Sequence, residues 1–324
     1  MNAKIKGYFW ACISSATFGL IPLFALPLGQ KGLSHDTVLC YRFACAALFL
    51  SLWMLFKKQS FAVEKKEFSL LVVLGILYAL SAQCLFISYD YLGVGTASTI
   101  LFLYPVFVAV LMAVFFKERI NAITAAAILI AFFGVSLLYK SENGITLNPL
   151  GIAAILFAAF CYAIYIVVVN KSKIQFMSGY KLTFYATAIS AAFFFVKAQI
   201  TGGLAPIPDA TALADLILLA LFATALSCLA MIFAVQYIGS TATAILGALE
   251  PVVAVAVGIL VFKEAITRNL VFGILLILSA VLLIILSDYL HQKLSKKAPE
   301  SRMPVAAPEP GLEQPYEQIE TDNN

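Results

Sequence analysis

The chain has 324 residues, of which 62% are hydrophobic and 12% charged, with a formal net charge of +4 and a mean hydropathy of +0.97. A soluble domain carries about 25% charged residues, and no water-soluble fold of this length can hide so much apolar surface, so the composition specifies a polytopic membrane protein. The small positive balance is not a nucleic-acid signal, because the basic residues sit at the ends of apolar runs rather than on one face.

A bilayer-crossing helix needs about 20 mostly apolar residues. Ten runs approach that length, at 7–28, 37–56, 68–88, 94–116, 122–139, 150–170, 179–199, 213–236, 241–262 and 269–287. Backbone in lipid must be bonded within its own segment, and the strand alternation of a membrane barrel is absent, so these runs are expected to be helices. The first run exceeds a signal-peptide core and reads as a retained span. Between the runs lie Gly/Pro-rich and charged connections, including 57–66, 140–144 and 202–208. The Pro-, Glu- and Gln-rich stretch 296–324 reads as a disordered cytoplasmic tail.

Within the second run Arg42 is about six residues from the start, about 8 Å deep at the helical rise. It either snorkels to the interface, meets a substrate carboxylate, or partners Glu250. Asp36 is too far round the helix to explain it. The six cysteines fall inside apolar runs without a C-x-x-C pair and read as packing residues. The two histidines, His35 and His291, sit at span ends, so no metal site is expected.

Residues 91–120 recur at 237–266, 146 positions on, with nine of thirty positions identical. These include Gly93/Gly239, Pro105/Pro251, Lys117/Lys263 and Glu118/Glu264. A duplicated membrane unit is the signature of a transporter built from internal repeats. The expected units are 1–144 and 145–290, with five spans each. Five is odd, so the repeats are inverted. With the N-terminus inside, fifteen Lys and Arg face the cytoplasm and five face out, with Arg42 left inside a span. That bias places both termini in the cytoplasm.

The copies differ where it matters most. Glu250 lies nine residues into its span, where a carboxylate is costly and its presence suggests a role. Pro251 beside it cannot donate a backbone hydrogen bond and clashes with the carbonyl at Gly247, so a kink is expected there, and another at Pro105. A freed carbonyl next to a carboxylate suits a cation, amine or proton; a neutral Glu bonded to a neighbouring helix is the other reading. The equivalent position in the first copy is Tyr104. Glu118 and Glu264, at the C-terminal ends of the repeat helices, oppose the macrodipole. A bond to the start of the following helix would compensate them, making them hairpin residues, or else gate residues.

Ten spans, two halves and the paired Gly…Pro…Lys-Glu segments resemble the EamA-like members of the drug/metabolite transporter superfamily. Ala248–Pro251 (ALEP) and Arg42–Phe43 look like family features as well. The resemblance covers the chain to about residue 288. It implies an all-α polytopic fold and a cavity among the first, third, fourth, sixth, eighth and ninth spans, with the fifth and tenth peripheral. It also implies cavity candidates: Trp10, Ser14, Thr17 and Phe18 on the first span, Tyr78, Ser81 and Gln83 on the third, and Tyr162 and Tyr165 on the sixth.

The expected function is secondary transport of a small metabolite such as an amino acid, with export favoured, in a bacterial cytoplasmic (inner) membrane. Proton-coupled efflux of toxic or lipophilic cations is the alternative. Intramembrane enzymes need a buried acid–base pair or nucleophile dyad, and neither is legible. No phosphate-binding G-x-x-x-x-G-K loop exists for a primary pump. No cofactor and no nucleic-acid partner is expected. The expected partners are the lipid bilayer, a small-molecule substrate, protons and a second copy in a homodimer.

Overall fold

A computed structural model describes residues 3–117, 122–139 and 148–295. Glu118 and the 296–324 tail lie outside the described residues. Among the described residues every regular element is a helix. The first span is α1 (Ala3–Gly19) and α2 (Ile21–Gln30), the second is α3 (His35–Phe56) and the third is α4 (Lys65–Leu92). The fourth is α5 (Val94–Leu101) and α6 (Tyr104–Phe116), followed by α7 (Ala122–Tyr139), α8 (Pro149–Lys171) and α9 (Gly179–Ile200). Then come α10 (Ala210–Ala220), a π-turn at Leu221–Leu226, α11 (Ser227–Gly247), α12 (Leu249–Leu260) and α13 (Arg268–Ser295). Seven of the described helical stretches are long and apolar enough to cross a membrane, and three shorter apolar ones, at 122–137, 249–260 and 268–284, accompany them.

Local chemistry sets many of the ends. The Ser34 hydroxyl accepts from the Thr37 amide at the start of α3, and Glu64 and Glu67 form a capping box on α4. Asn148 caps α8, with Pro149 opening it. Proline sets the breaks inside spans. A Pro at position i denies a donor and crowds the carbonyl at i−4. α5 ends at Leu101, four before Pro105, and α11 ends at Gly247, four before Pro251. Pro22 similarly opens α2 after the break at Leu20.

One boundary differs from expectation. The eighth and ninth runs were expected to part near 237–240. α11 instead carries on through Gly239 to Gly247, and α12 alone follows. Gly239 stays helical within α11, whereas the equivalent Gly93 adopts a left-handed φ of 76° and separates α4 from α5.

Among the most extensive packings between halves are α1 on α11, α4 on α8, α3 on α9, α7 on α13 and α5 on α12. Exchanging the halves maps this set onto itself. First-with-eighth becomes sixth-with-third, and the other spans pair with their own counterparts. Hydrogen bonds follow the same rule. Ser227 Oγ donates to the Ser14 carbonyl at 3.1 Å, and its counterpart Ser81 donates to the Ala158 carbonyl at 3.0 Å. Lys117 and Lys263 both take left-handed conformations, φ 56° and 58°. The halves are therefore structural copies, and an odd number of spans in each inverts one against the other.

Candidate substrate cavity

The hinges in α1–α2, α5–α6 and α11–α12 approach one another. Around them lies a cavity lined by Phe18, Arg42, Tyr78, Tyr104, Tyr162 and Glu250, among others. Both halves contribute, and Arg42 and Glu250 come from opposite ones. The space open to water centres is about 30 Å³, room for about two waters. Small-molecule sites run to about 300–1,000 Å³, so the walls must separate before a metabolite enters.

Arg42 is 2% exposed. Its Nε donates to Thr224 Oγ1 at 2.8 Å. Thr224 sits in the π-turn and gives its own proton to the Leu219 carbonyl, five residues back, at 3.2 Å. The wider turn exposes that carbonyl and aims the hydroxyl at the arginine, in keeping with the habit of π-bulges to occur at functional sites. Tied by Nε, the guanidinium presents its remaining N–H donors toward the cavity. Among the described residues it makes no salt bridge. This excludes both snorkelling and a direct ion pair with Glu250.

Glu250 occupies the first turn of α12, where the helix dipole favours a negative charge. No cation lies within ion-pairing distance of it among the described residues. One cavity thus holds an acid and a base that do not neutralise each other directly. Gly19, at the first-span hinge, makes the close crossing possible. A Cβ there would stand 2.6 Å from the Glu250 carbonyl oxygen and 2.8 Å from Val253. Gly247 is not needed for space, since a Cβ there would meet only Phe102, at 3.8 Å.

Aromatic rings connect the walls. Tyr104 meets Tyr162 edge-on with centroids 4.9 Å apart, and Tyr162 stacks on Tyr165 at 5.9 Å. Tyr165 in turn meets Tyr78 at 5.9 Å, and Tyr78 meets Phe43 at 5.3 Å. Tyr165 therefore backs the cavity without lining it.

Four expected cavity residues lie elsewhere. Trp10 packs on Phe233, 5.3 Å between centroids. Ser14 Oγ donates to the Ser227 carbonyl at 2.9 Å, joining α1 to α11. Thr17 returns its proton to the Ile13 carbonyl in its own helix. Gln83 accepts from Lys197 Nζ at 3.0 Å, and Lys197 also pairs with Asp36 at 2.7 Å. That cluster belongs to a polar rim at one end of the bundle. Asp209, at the end of the connection that follows α9, caps α10 and binds Lys31. Hydrogen bonds from Thr211, the Ala212 amide and Lys31 hold the Asp209 carboxyl well below the usual carboxylate range.

Glu264 does not bond the helix that follows it. Its Oε2 accepts from the Gly95 amide at 3.0 Å, and its Oε1 accepts from the Val94 amide. Its carboxylate therefore caps α5, in the other half. The macrodipole of α12 opposes this group, and the macrodipole of α5 compensates it.

A two-repeat helical bundle closing on a charged cavity lined by both halves defines a membrane transporter of the inverted-repeat class. The sequence pattern of the EamA-like transporter family matches residues 5–140 and 149–286, and the chain belongs to that family. A protein of Archaeoglobus fulgidus described as an uncharacterized transporter is 24% identical over 277 residues, 84% of this chain and 96% of its own. An uncharacterized transporter of Bacillus subtilis is 27% identical over 181 residues, 55% of this chain and 57% of its own. A solved crystal structure superposes with a TM-score of 0.64 at 13% identity, covering 88% of this chain and 98% of that one. The last comparison speaks for the fold alone.

Proposed function

We propose that the protein is a secondary transporter that exports a small zwitterionic metabolite such as an amino acid by alternating access. The observation that carries the reading is that Arg42 and Glu250, from opposite halves, line one cavity and are not paired with each other. The free guanidinium N–H groups suit a carboxylate. The Glu250 carboxylate suits an ammonium group or a proton. The tyrosine wall suits an apolar or cationic side chain. In this reading the bundle sits in a bacterial cytoplasmic membrane, and the Lys/Arg bias supports both termini facing the cytoplasm. Protons as coupling ion and a homodimeric assembly belong to the same proposal.

The test is thermal unfolding of the detergent-solubilised protein against amino acids, nucleosides, sugars and lipophilic cations. A ligand at a hundredfold excess over its Kd stabilises by about 2.7 kcal/mol. Amino acids should raise the midpoint in the wild type and lose that effect in Arg42→Ala. The second reading is proton-coupled efflux of cations, favoured by a Glu250 with no basic partner. In that case lipophilic cations shift the midpoint, Arg42→Ala keeps the shift and Glu250→Gln abolishes it. Under either reading Glu250→Gln folds and inserts but loses pH- or cation-dependent transport in liposomes. Transport and pH response like the wild type's in that variant would leave Glu250 as a structural group.

A further inference from the structure

We propose that the Glu264 carboxylate is a latch, holding one end of the cavity shut by capping α5 from the opposite half. The proposal rests on the alternating-access reading, since a latch matters only if the cavity opens at that end. An ordinary helix cap comes from a residue two or three positions away. This one comes from 170 positions away, and so ties α5 to α12 rather than merely satisfying its own helix.

The site is shaped for the carboxylate. Lys263, at φ 58°, turns the chain at the end of α12. The Glu264 amide then donates to the Gly258 carbonyl at 3.0 Å, folding the residue back along α12. Three glycines leave room for the side chain. A Cβ at Gly93 would lie 3.1 Å from Glu264 Cδ, one at Gly258 would lie 2.9 Å from it, and one at Gly95 would lie 3.3 Å from Oε2. Glu264 makes no ion pair among the described residues, so the two α5 amides are its partners. It is partly exposed, so water can take their place when the contact opens.

Position makes the contact a gate element. All eight residues of α5 are buried, whereas α6, beyond the hinge in the same span, buries only Val106 and Leu111. Leu101 at the end of α5 and Glu250 at the start of α12 both line the cavity. The two helices run outward from it side by side, hinged at Phe102 and Ala248. α5 is about 12 Å long at the helical rise. Glu264 joins the pair at the outer end of α5, level with Gly258, so one side-chain contact governs a wall that long.

The experiment replaces the six native cysteines and introduces Ala97→Cys, a fully buried position on α5. A second protein keeps only Cys40, buried between α3 and α9. Both are labelled in detergent with a water-soluble maleimide, so no substrate is needed. Glu264→Ala should speed labelling of the residue 97 thiol by roughly tenfold or more, the population change expected on losing charge-assisted hydrogen bonds. Cys40 labelling should not change. Gly258→Ala keeps the carboxylate but displaces it, and should act in the same direction; it carries the test if Glu264→Ala does not fold. Unchanged labelling at residue 97, or equal acceleration at both thiols, overturns the latch. Accelerated labelling at residue 97 alone, in a protein that moves no metabolite, overturns the transport reading and leaves the latch standing.

Discussion

Arg42 and Thr224 form the smallest unit on which the cavity depends. Thr224 accepts from Arg42 and donates to Leu219, so its hydroxyl is used twice. Thr224→Val keeps the volume and removes both bonds. It leaves a buried donor unpaired, and a detergent melt should register a loss of about 1–3 kcal/mol. Uptake kinetics should show KM for the carboxylate substrate rising more than kcat falls, because the guanidinium is still present but is no longer aimed. An effect on stability alone would make Thr224 a packing residue. Arg42 and Glu250 were legible because an ionisable group inside a span is conspicuous in so apolar a chain. Thr224 was not, since a mid-span threonine carries no distinguishing mark. Trp10 and Ser14 show the limit of a helical pattern: a face at 3–4 spacing reveals that it is covered but not by what, and here Trp10 meets Phe233 and Ser14 bonds Ser227 on α11.

Among the helices, proline spacing foretold the hinges. Breaks at Leu101 and Gly247 lie four residues before Pro105 and Pro251, where the missing amide and the ring clash fall. Pro251→Ala restores the donor and lets α11 run into α12. A helix-interior proline costs about 3 kcal/mol relative to alanine, so thermal unfolding of this variant should occur at the same temperature or higher, while liposome transport falls. If transport is retained along with the raised midpoint, the hinge at Ala248 is not needed for the cycle. The asymmetries were harder to foresee. The π-turn in the eighth span has no counterpart in α4, and the helix through Gly239 has none at Gly93. A glycine permits a break without requiring one, and packing decides. The reach of Glu264 to Val94 and Gly95 was equally hidden, because the sequence supplies the neighbours along the chain and not those across the repeat.

At the scale of the whole molecule the duplication announced the architecture, because a Gly…Pro…Lys-Glu pattern repeated 146 residues apart needs no alignment to be seen. It did not announce that nearly every long helix finds its main partner in the other copy. α1, α3, α4, α5 and α7 pack chiefly on α11, α9, α8, α12 and α13. That arrangement bears on biogenesis. The first five spans enter the membrane while their partners are still being synthesised, so Arg42 waits in lipid without Thr224 and α5 waits without Glu264. Insertion and assembly are thus separate stages, and the finished bundle forms only after the second copy arrives. Two half-chains divided between residues 144 and 145 should therefore yield a protease-resistant, co-purifying complex when made together. The first half alone should be inserted and then degraded. A first half that survives alone with native-like protection of Cys40 would mean that each copy assembles by itself.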